Sequence, residues 1–185
     1  MRKTVILLVS FFYLTSVYSQ TNPTVAKDTV MENLVAKYRQ VFWDNPPHRS
    51  GWINDYENLY TKKEEHQLDS LIHFFEKNTT IEIAVVTIDT IKTSKENFDN
   101  LSLHMAQQWN LGKQDFQNGI LIAISRGHRK MRIQNGNGIE LLISDEETKA
   151  IIDTYFIPYF KKEDYYNGTF VGLTELMKLL ETKIK

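Results

Sequence analysis

Two short segments, "IEIAVVTI" (residues 81–88) and "GILIAIS" (residues 119–125), are apolar at odd and even positions alike. Successive side chains of a strand point to opposite faces, so a strand with one wet face alternates apolar and polar residues. These two do not alternate, and each therefore has to be covered on both sides. A sheet built on them needs a layer of helices above and another below.

The flanking sequence supplies those helices. "TKKEEHQLDSLIHFFEK" begins with Thr61 three residues before Glu64, a capping-box spacing, and sets Leu68, Leu71, Ile72 and Phe75 on one face. Thr93 and Glu96 repeat that spacing ahead of Phe98, Leu101, Met105 and Trp109. Ser144 and Glu147 introduce a helix carrying Ile151, Ile152, Tyr155 and Phe156, which Pro158 is expected to close. A last helix is expected from about Thr169, with Phe170, Leu173, Met177, Leu180 and Ile184 at helical spacing.

After "GILIAIS" comes the polar turn Arg126-Gly127-His128-Arg129, and then Met131 and Ile133 alternate with Lys130, Arg132 and Gln134. This pattern reads as an antiparallel hairpin. The link from 88 to 119 is long enough for a right-handed crossover, which makes strands 81–88 and 119–125 parallel. The expected fold is a three-layer α/β/α sandwich, a Rossmann-like mixed sheet with helices on both faces. In the hairpin, Asn118-Gly119 falls beside Asn135-Gly136, so the loop "WNLGKQDFQNG" converges with "NGNGIE" at one edge of the sheet.

"NGNGIE" superficially resembles a dinucleotide fingerprint. The third small residue falls on Leu141 instead, and the strand before it is amphipathic and antiparallel, so that function is excluded. The glycines there are expected to allow backbone conformations closed to other residues. There is no GxxxxGK[ST] loop, no GxSxG elbow, no HExxH pair and no cysteine, which removes the common nucleotide, serine, thiol and zinc chemistries. Twenty-two basic residues against 23 acidic ones give no electrostatic footprint for nucleic acid.

Oxygen ligands remain. Asp115, Asn118, Glu140 and also Asp145 cluster around the converging loops, and Asp55 precedes the first helix in "WINDYENLY". Carboxylates and an amide oxygen suit a hard cation, Ca²⁺ or Mg²⁺. The same residues are equally ordinary in turns and caps, with Asp145 well placed as a first-turn acid.

The chain opens with "MRKTVILLVSFFYLTSVYSQ", a basic start, an apolar run from Val5 to Leu14 and a small residue at Ser19. Residues 1–19 read as a cleaved signal peptide, an uncut anchor being the alternative, and the mature protein is then exported, periplasmic or secreted. Cleavage leaves 20 basic and 23 acidic residues, a charge of −3. No further apolar run is long enough to span a membrane, and a monomer is expected. Residues 20–50 form an N-terminal helical extension and linker, with Val30, Met31, Leu34, Tyr38 and Val41 at helical spacing before Asn45-Pro46-Pro47. Residues 51–185 form the main domain.

The segments "INDYENLYT", "IEIAVVTI", "WNLGKQDFQNGILIAIS", "RKMRIQNGNGIELLISD" and "PYFKKEDYYNG" resemble, in order and spacing, the TPM domain. This domain occurs in a plant thylakoid-lumen phosphatase, a photosystem II repair protein, an animal receptor modulator and many bacterial exported proteins. The resemblance spans about residues 52–183 and implies an α/β/α sandwich, divalent-cation binding and, from the plant member, acid phosphatase activity. It places Asp55, Asp115, Asn118 and Glu140 at the positions of the family's polar signature. The chain departs from many bacterial relatives, which continue into a membrane helix and a glycine-rich tail. Two functions follow. One is a metal-dependent phosphoester hydrolase. The other is a binding or assembly module for exported or membrane-complex partners in which the cation is structural.

Overall fold

A computed structural model describes residues 23–112 and 117–184. The expected signal peptide and its cleavage site at Ser19 lie outside the described residues, as does Asp115. Two compact units, Met1–Leu34 and Val35–Lys185, divide the chain. Helix α1 (Pro23–Asp44) runs across that boundary.

The larger unit holds a four-stranded sheet in the order β1-β2-β3-β4. Strands β1 (Ile53–Asp55), β2 (Glu82–Thr87) and β3 (Gly119–Ser125) are parallel, and β4 (Lys130–Asn135) is antiparallel to β3. All seven residues of β3 are buried, as the two-sided apolar pattern requires. Burying each of its isoleucines contributes about 1.5–3 kcal/mol. One face carries Ile83, Val85, Ile120, Ile122 and Ile124 against Leu68, Ile72 and Phe75 of α2 (Lys62–Thr79) and Leu173, Leu176 and Leu180 of α7 (Tyr165–Lys183). The other carries Ala84, Val86, Leu121 and Ala123 against Phe98, Leu101 and Met105 of α3 (Phe98–Gln108), with Phe42 and Trp43 of α1 packed beside them.

The C-terminal half of α1 therefore contributes to the main domain. Trp43 stacks on His104 of α3 with ring centroids 4.4 Å apart, His104 Nε2 lies 2.9 Å from the Trp43 carbonyl, and Arg39 donates to the Thr90 carbonyl at 2.9 Å. Trp109, expected in the core, packs at its rim and donates its indole N–H to the Pro47 carbonyl at 2.8 Å. Among the described residues no helix is long and apolar enough to cross a membrane.

One strand gives no sequence signal, and three local expectations need correction. Strand β1 is too short to show a period, and its central Asn54, which accepts from the Ser50 backbone N–H at 2.9 Å, disguises it as a turn. Thr93 does not cap α3: it is buried, its carbonyl lies 3.0 Å from His128 Nε2, and the helix starts at Phe98. Pro158 does not end the helical run after α5 (Asp145–Ile151). A π-helical turn, Ile152–Phe156, intervenes, with the Ile157 N–H reaching back to the Ile152 carbonyl, and α6 (Ile157–Phe160) continues through the proline. Helix α7 begins at Tyr165, ahead of Thr169, because the Asp164 carboxylate caps it by accepting from the Asn167 N–H at 3.3 Å.

Gly172 of α7 lies directly against the fully buried ring of Phe156. Gly172→Val drives two methyl groups into that ring. It should lower unfolding free energy by about 3 kcal/mol, read as a shifted denaturant midpoint at unchanged slope.

Candidate functional site

The hairpin forms as its pattern requires, and it decides where the predicted ligands fall. Ile120 pairs with Asn135, and the Gly136 N–H donates to the Gly119 carbonyl at 2.8 Å. The Gly138 N–H then reaches the Gln117 carbonyl at 3.1 Å, so Gln117-Asn118 and the short helix α4 (Asn137–Glu140) meet at the amino-terminal end of β3. Gly136 has φ −72° and ψ 159°, which any residue can adopt. Its requirement is space, because a Cβ there would overlap the Gln117 carbonyl.

Asn118 is buried and its amide donates to the Thr80 carbonyl at 2.7 Å. Thr80, at φ 64°, ends α2 in a left-handed conformation that costs a β-branched residue about 1–2 kcal/mol, and the Asn118 amide holds it there. Glu140 is exposed on α4, and Asp145 sits in the first turn of α5 behind the Ser144 cap.

Asp55 is elsewhere. It pairs in register with Thr87, whereas Asn118 precedes Gly119, which pairs with Glu82. Five residues of β2 separate those levels, roughly 16 Å at the usual rise per residue. Asp55 therefore cannot share an ion with Asn118 and Glu140. The resemblance to the TPM domain grouped Asp55 with these residues, and β1 carries it to the other end of the sheet.

At its own end of the sheet Asp55 organises a loop. Its carboxylate accepts from Thr87 Oγ1 at 2.6 Å, the Tyr60 N–H at 2.9 Å and the Glu57 N–H at 3.3 Å, while Thr87 Oγ1 accepts from the Glu57 N–H at 2.8 Å. Tyr60 closes the loop from below: its phenol is fully buried against Thr169 Oγ1 at 2.9 Å, and burial pushes its pKa well above the ordinary tyrosine range. Glu57 then reaches the hairpin turn, accepting from the N–H groups of Arg126 at 2.9 Å and Gly127 at 3.4 Å. Desolvation raises the Glu57 carboxyl above the usual carboxylate value, reinforced by the charge of Asp89 and opposed by those two N–H groups and by Arg126.

Beyond this loop lies a cleft of about 420 Å³ between the 126–129 turn and the connection from α6 to α7. Arg126, Arg129, Lys161, Glu163 and Tyr165 form its polar side, and Ile124, Ile157 and Phe160 its apolar side. The Phe160 ring is braced by Phe156 and Tyr165, with centroids 5.9 and 4.9 Å away. Lys130 also lines the cleft but is committed to Asp99 at 3.0 Å and to the Lys95 carbonyl. Arg126, Arg129 and Lys161 make no ion pair among the described residues. Sequence reasoning took Arg126–Arg129 only for a turn. The usable signal was topological, because open α/β sheets bind ligands at the carboxyl ends of their parallel strands.

The sequence pattern of the TPM domain matches residues 53–179. Among solved structures, the N-terminal domain of a protein from P. gingivalis is similar at 23% identity over 76% of this chain and 87% of its own, with a TM-score of 0.64. The BA42 protein from the psychrophilic bacterium Bizionia argentinensis is 23% identical over 69% of this chain and 86% of its own, TM-score 0.60. The N-terminal domain of the cg2496 protein from Corynebacterium glutamicum is 15% identical over 75% and 84%, TM-score 0.51. These likenesses are of fold. None of the curated proteins compared matches the chain.

The raised carboxyl of Glu57 sets a pH dependence. A group whose folded pKa exceeds its unfolded one binds its proton more tightly in the folded state. Its contribution is fully present below the ordinary value of 4.5 and is lost as pH rises through the folded midpoint. Carbon-detected titration of Glu57 should show a midpoint above 4.5, and Glu57→Gln should flatten the decline of stability over that window. A midpoint at or below the ordinary value would refute the assignment.

Proposed function

The chain belongs to the TPM domain family, and on that premise we propose that it is an exported domain that binds a hard divalent cation, Ca²⁺ or Mg²⁺, at the amino-terminal end of β3. One observation carries this reading. Asn135 Oδ1 is buried without a hydrogen-bond partner among the described residues, while the other end of its amide donates to Thr148 Oγ1 at 3.0 Å. A buried acceptor left unmatched costs about 1–3 kcal/mol, and a cation would remove that cost. Asn135 has the parity of Ile133, so it lies on the same face as its cross-strand partner Ile120, and it immediately precedes the Gly136 cap of α4, which carries Glu140.

The donor types fit a hard cation: an amide oxygen, an exposed carboxylate and loop carbonyls. No three His, Cys, Asp or Glu side chains among the described residues are grouped to hold an ion. The proposed set therefore takes its second carboxylate from Asp115, with Asn118 bracing the loop and Asp55 excluded by distance.

The role proposed is binding, with the cation fixing loop geometry. A hydrolase that holds its phosphoester on cationic side chains while a metal ion activates water needs both at one place. Here the oxygen-rich loops and the cationic cleft lie at opposite ends of the sheet.

Titration with CaCl₂ or MgCl₂ should shift backbone amides of residues 117–120 and 135–140. Glu140→Gln and Asp115→Asn should each weaken binding by at least the roughly 10–100-fold that loss of an outer-shell partner costs. An unchanged spectrum in those segments with both ions would overturn the cation site. Hydrolysis of 4-nitrophenyl phosphate that depends on added Mg²⁺ and disappears in Asp115→Asn would overturn the binding role.

A further inference from the structure

We propose that the cleft at the carboxyl end of β3 is a binding site for a small organic monoanion, an apolar body carrying one carboxylate. Its volume of about 420 Å³ is that of a small-molecule site, and it sits where sheets of this kind take their ligands.

The charge count selects the ligand. Among the described residues Arg126, Arg129 and Lys161 are three cations without ion-pair partners, whereas Lys130 is neutralised by Asp99. Two carboxylates, Glu57 and Glu163, act on the same place: both raise the Tyr165 hydroxyl, after burial as the larger cause, while Arg126 and Arg129 lower it. Three lining cations against Glu163 leave a positive balance, which Glu57, bonded behind the turn to the Arg126 and Gly127 N–H groups, lowers to about one charge. A single carboxylate balances it, whereas a phosphomonoester dianion would be overcharged and would face Glu163. Arginine forks match a carboxylate edge in bidentate geometry, and Tyr165 adds a hydroxyl donor.

The apolar side receives the rest of the ligand. Ile124, Ile157 and Phe160 form that wall, and Phe160 is held by its aromatic neighbours. The turn carrying both arginines is fixed beforehand by the Glu57 carboxylate on two of its N–H groups, so little ordering remains to be done on binding. Glu57 is thus a positioning residue, and Asp55 and Thr87 position Glu57. None of this depends on the cation at the other end.

The test uses 4-phenylbutyrate as probe, in the full chain without divalent cation. The probe should shift amides of residues 124–130 and 157–166. Its affinity should fall about tenfold or more in Arg129→Gln, consistent with loss of a charged hydrogen bond. Arg126→Gln, which leaves the backbone contact to Glu57 in place, provides a second variant should the first disturb the turn. Uncharged 4-phenylbutan-1-ol should bind much more weakly, and equal affinity for it would overturn the proposal by reducing the site to an apolar groove. Phenyl phosphate at about pH 8, where it is a dianion, should not displace the carboxylate. Displacement would overturn the charge argument, and absence of shifts with 4-phenylbutyrate would overturn the site.

Discussion

Every other feature of the domain follows from the burial of β3 on both of its faces. A strand with no solvated side can hold no ligand along its length, and it exposes backbone only at its ends. Helices α2 and α7 seal one face and α3, with the end of α1, the other. A small ligand that meets the sheet must therefore do so at the ends of its strands, and the two ends differ in chemistry. The amino-terminal end gathers amide and carboxylate oxygens on loops joined by the hairpin. The carboxyl-terminal end gathers cations over an apolar wall.

The carboxyl-terminal end is assembled through one chain of hydrogen bonds. Thr87 and the loop N–H groups fix Asp55, the same threonine fixes the Glu57 N–H, and the Glu57 carboxylate holds the turn from β3 into β4. The acids at this end serve as acceptors that shape backbone, which explains why Asp55 is prominent in the sequence without being placed to share an ion with the opposite loops. Buried Tyr60 ties the same loop to α7 through Thr169.

The sandwich, the parallel pair and the hairpin were legible because apolar parity and the Thr61–Glu64 and Ser144–Glu147 spacings are local signals that tertiary packing reinforces. Where packing competes, local signals fail. The Thr93–Glu96 spacing matches a cap, yet Thr93 is drawn into the interior against His128. Pro158 lies within a helix because a π turn absorbs its ring. The candidate site was half legible: convergence of Asn118 with the α4 turn follows from the hairpin alone, but three-residue β1 gives no period, so the separation of Asp55 from that turn was not legible. Arg126, Arg129 and Tyr165 meet only through the packing of the α6–α7 connection on the end of the sheet, which no spacing in the sequence records.

Segregation of the two ends is most directly measured with Mn²⁺ in place of Ca²⁺ or Mg²⁺, since its unpaired electrons broaden nearby amide signals according to distance and it accepts the same oxygen ligands. With substoichiometric Mn²⁺ the account predicts the strongest broadening at residues 117–120 and 135–140, falling off steeply with distance to be far weaker at Asp55, Glu57 and the 126–129 turn. Broadening centred on Asp55 and Glu57 would contradict it, placing the cation at the carboxyl end of the strands beside the arginines.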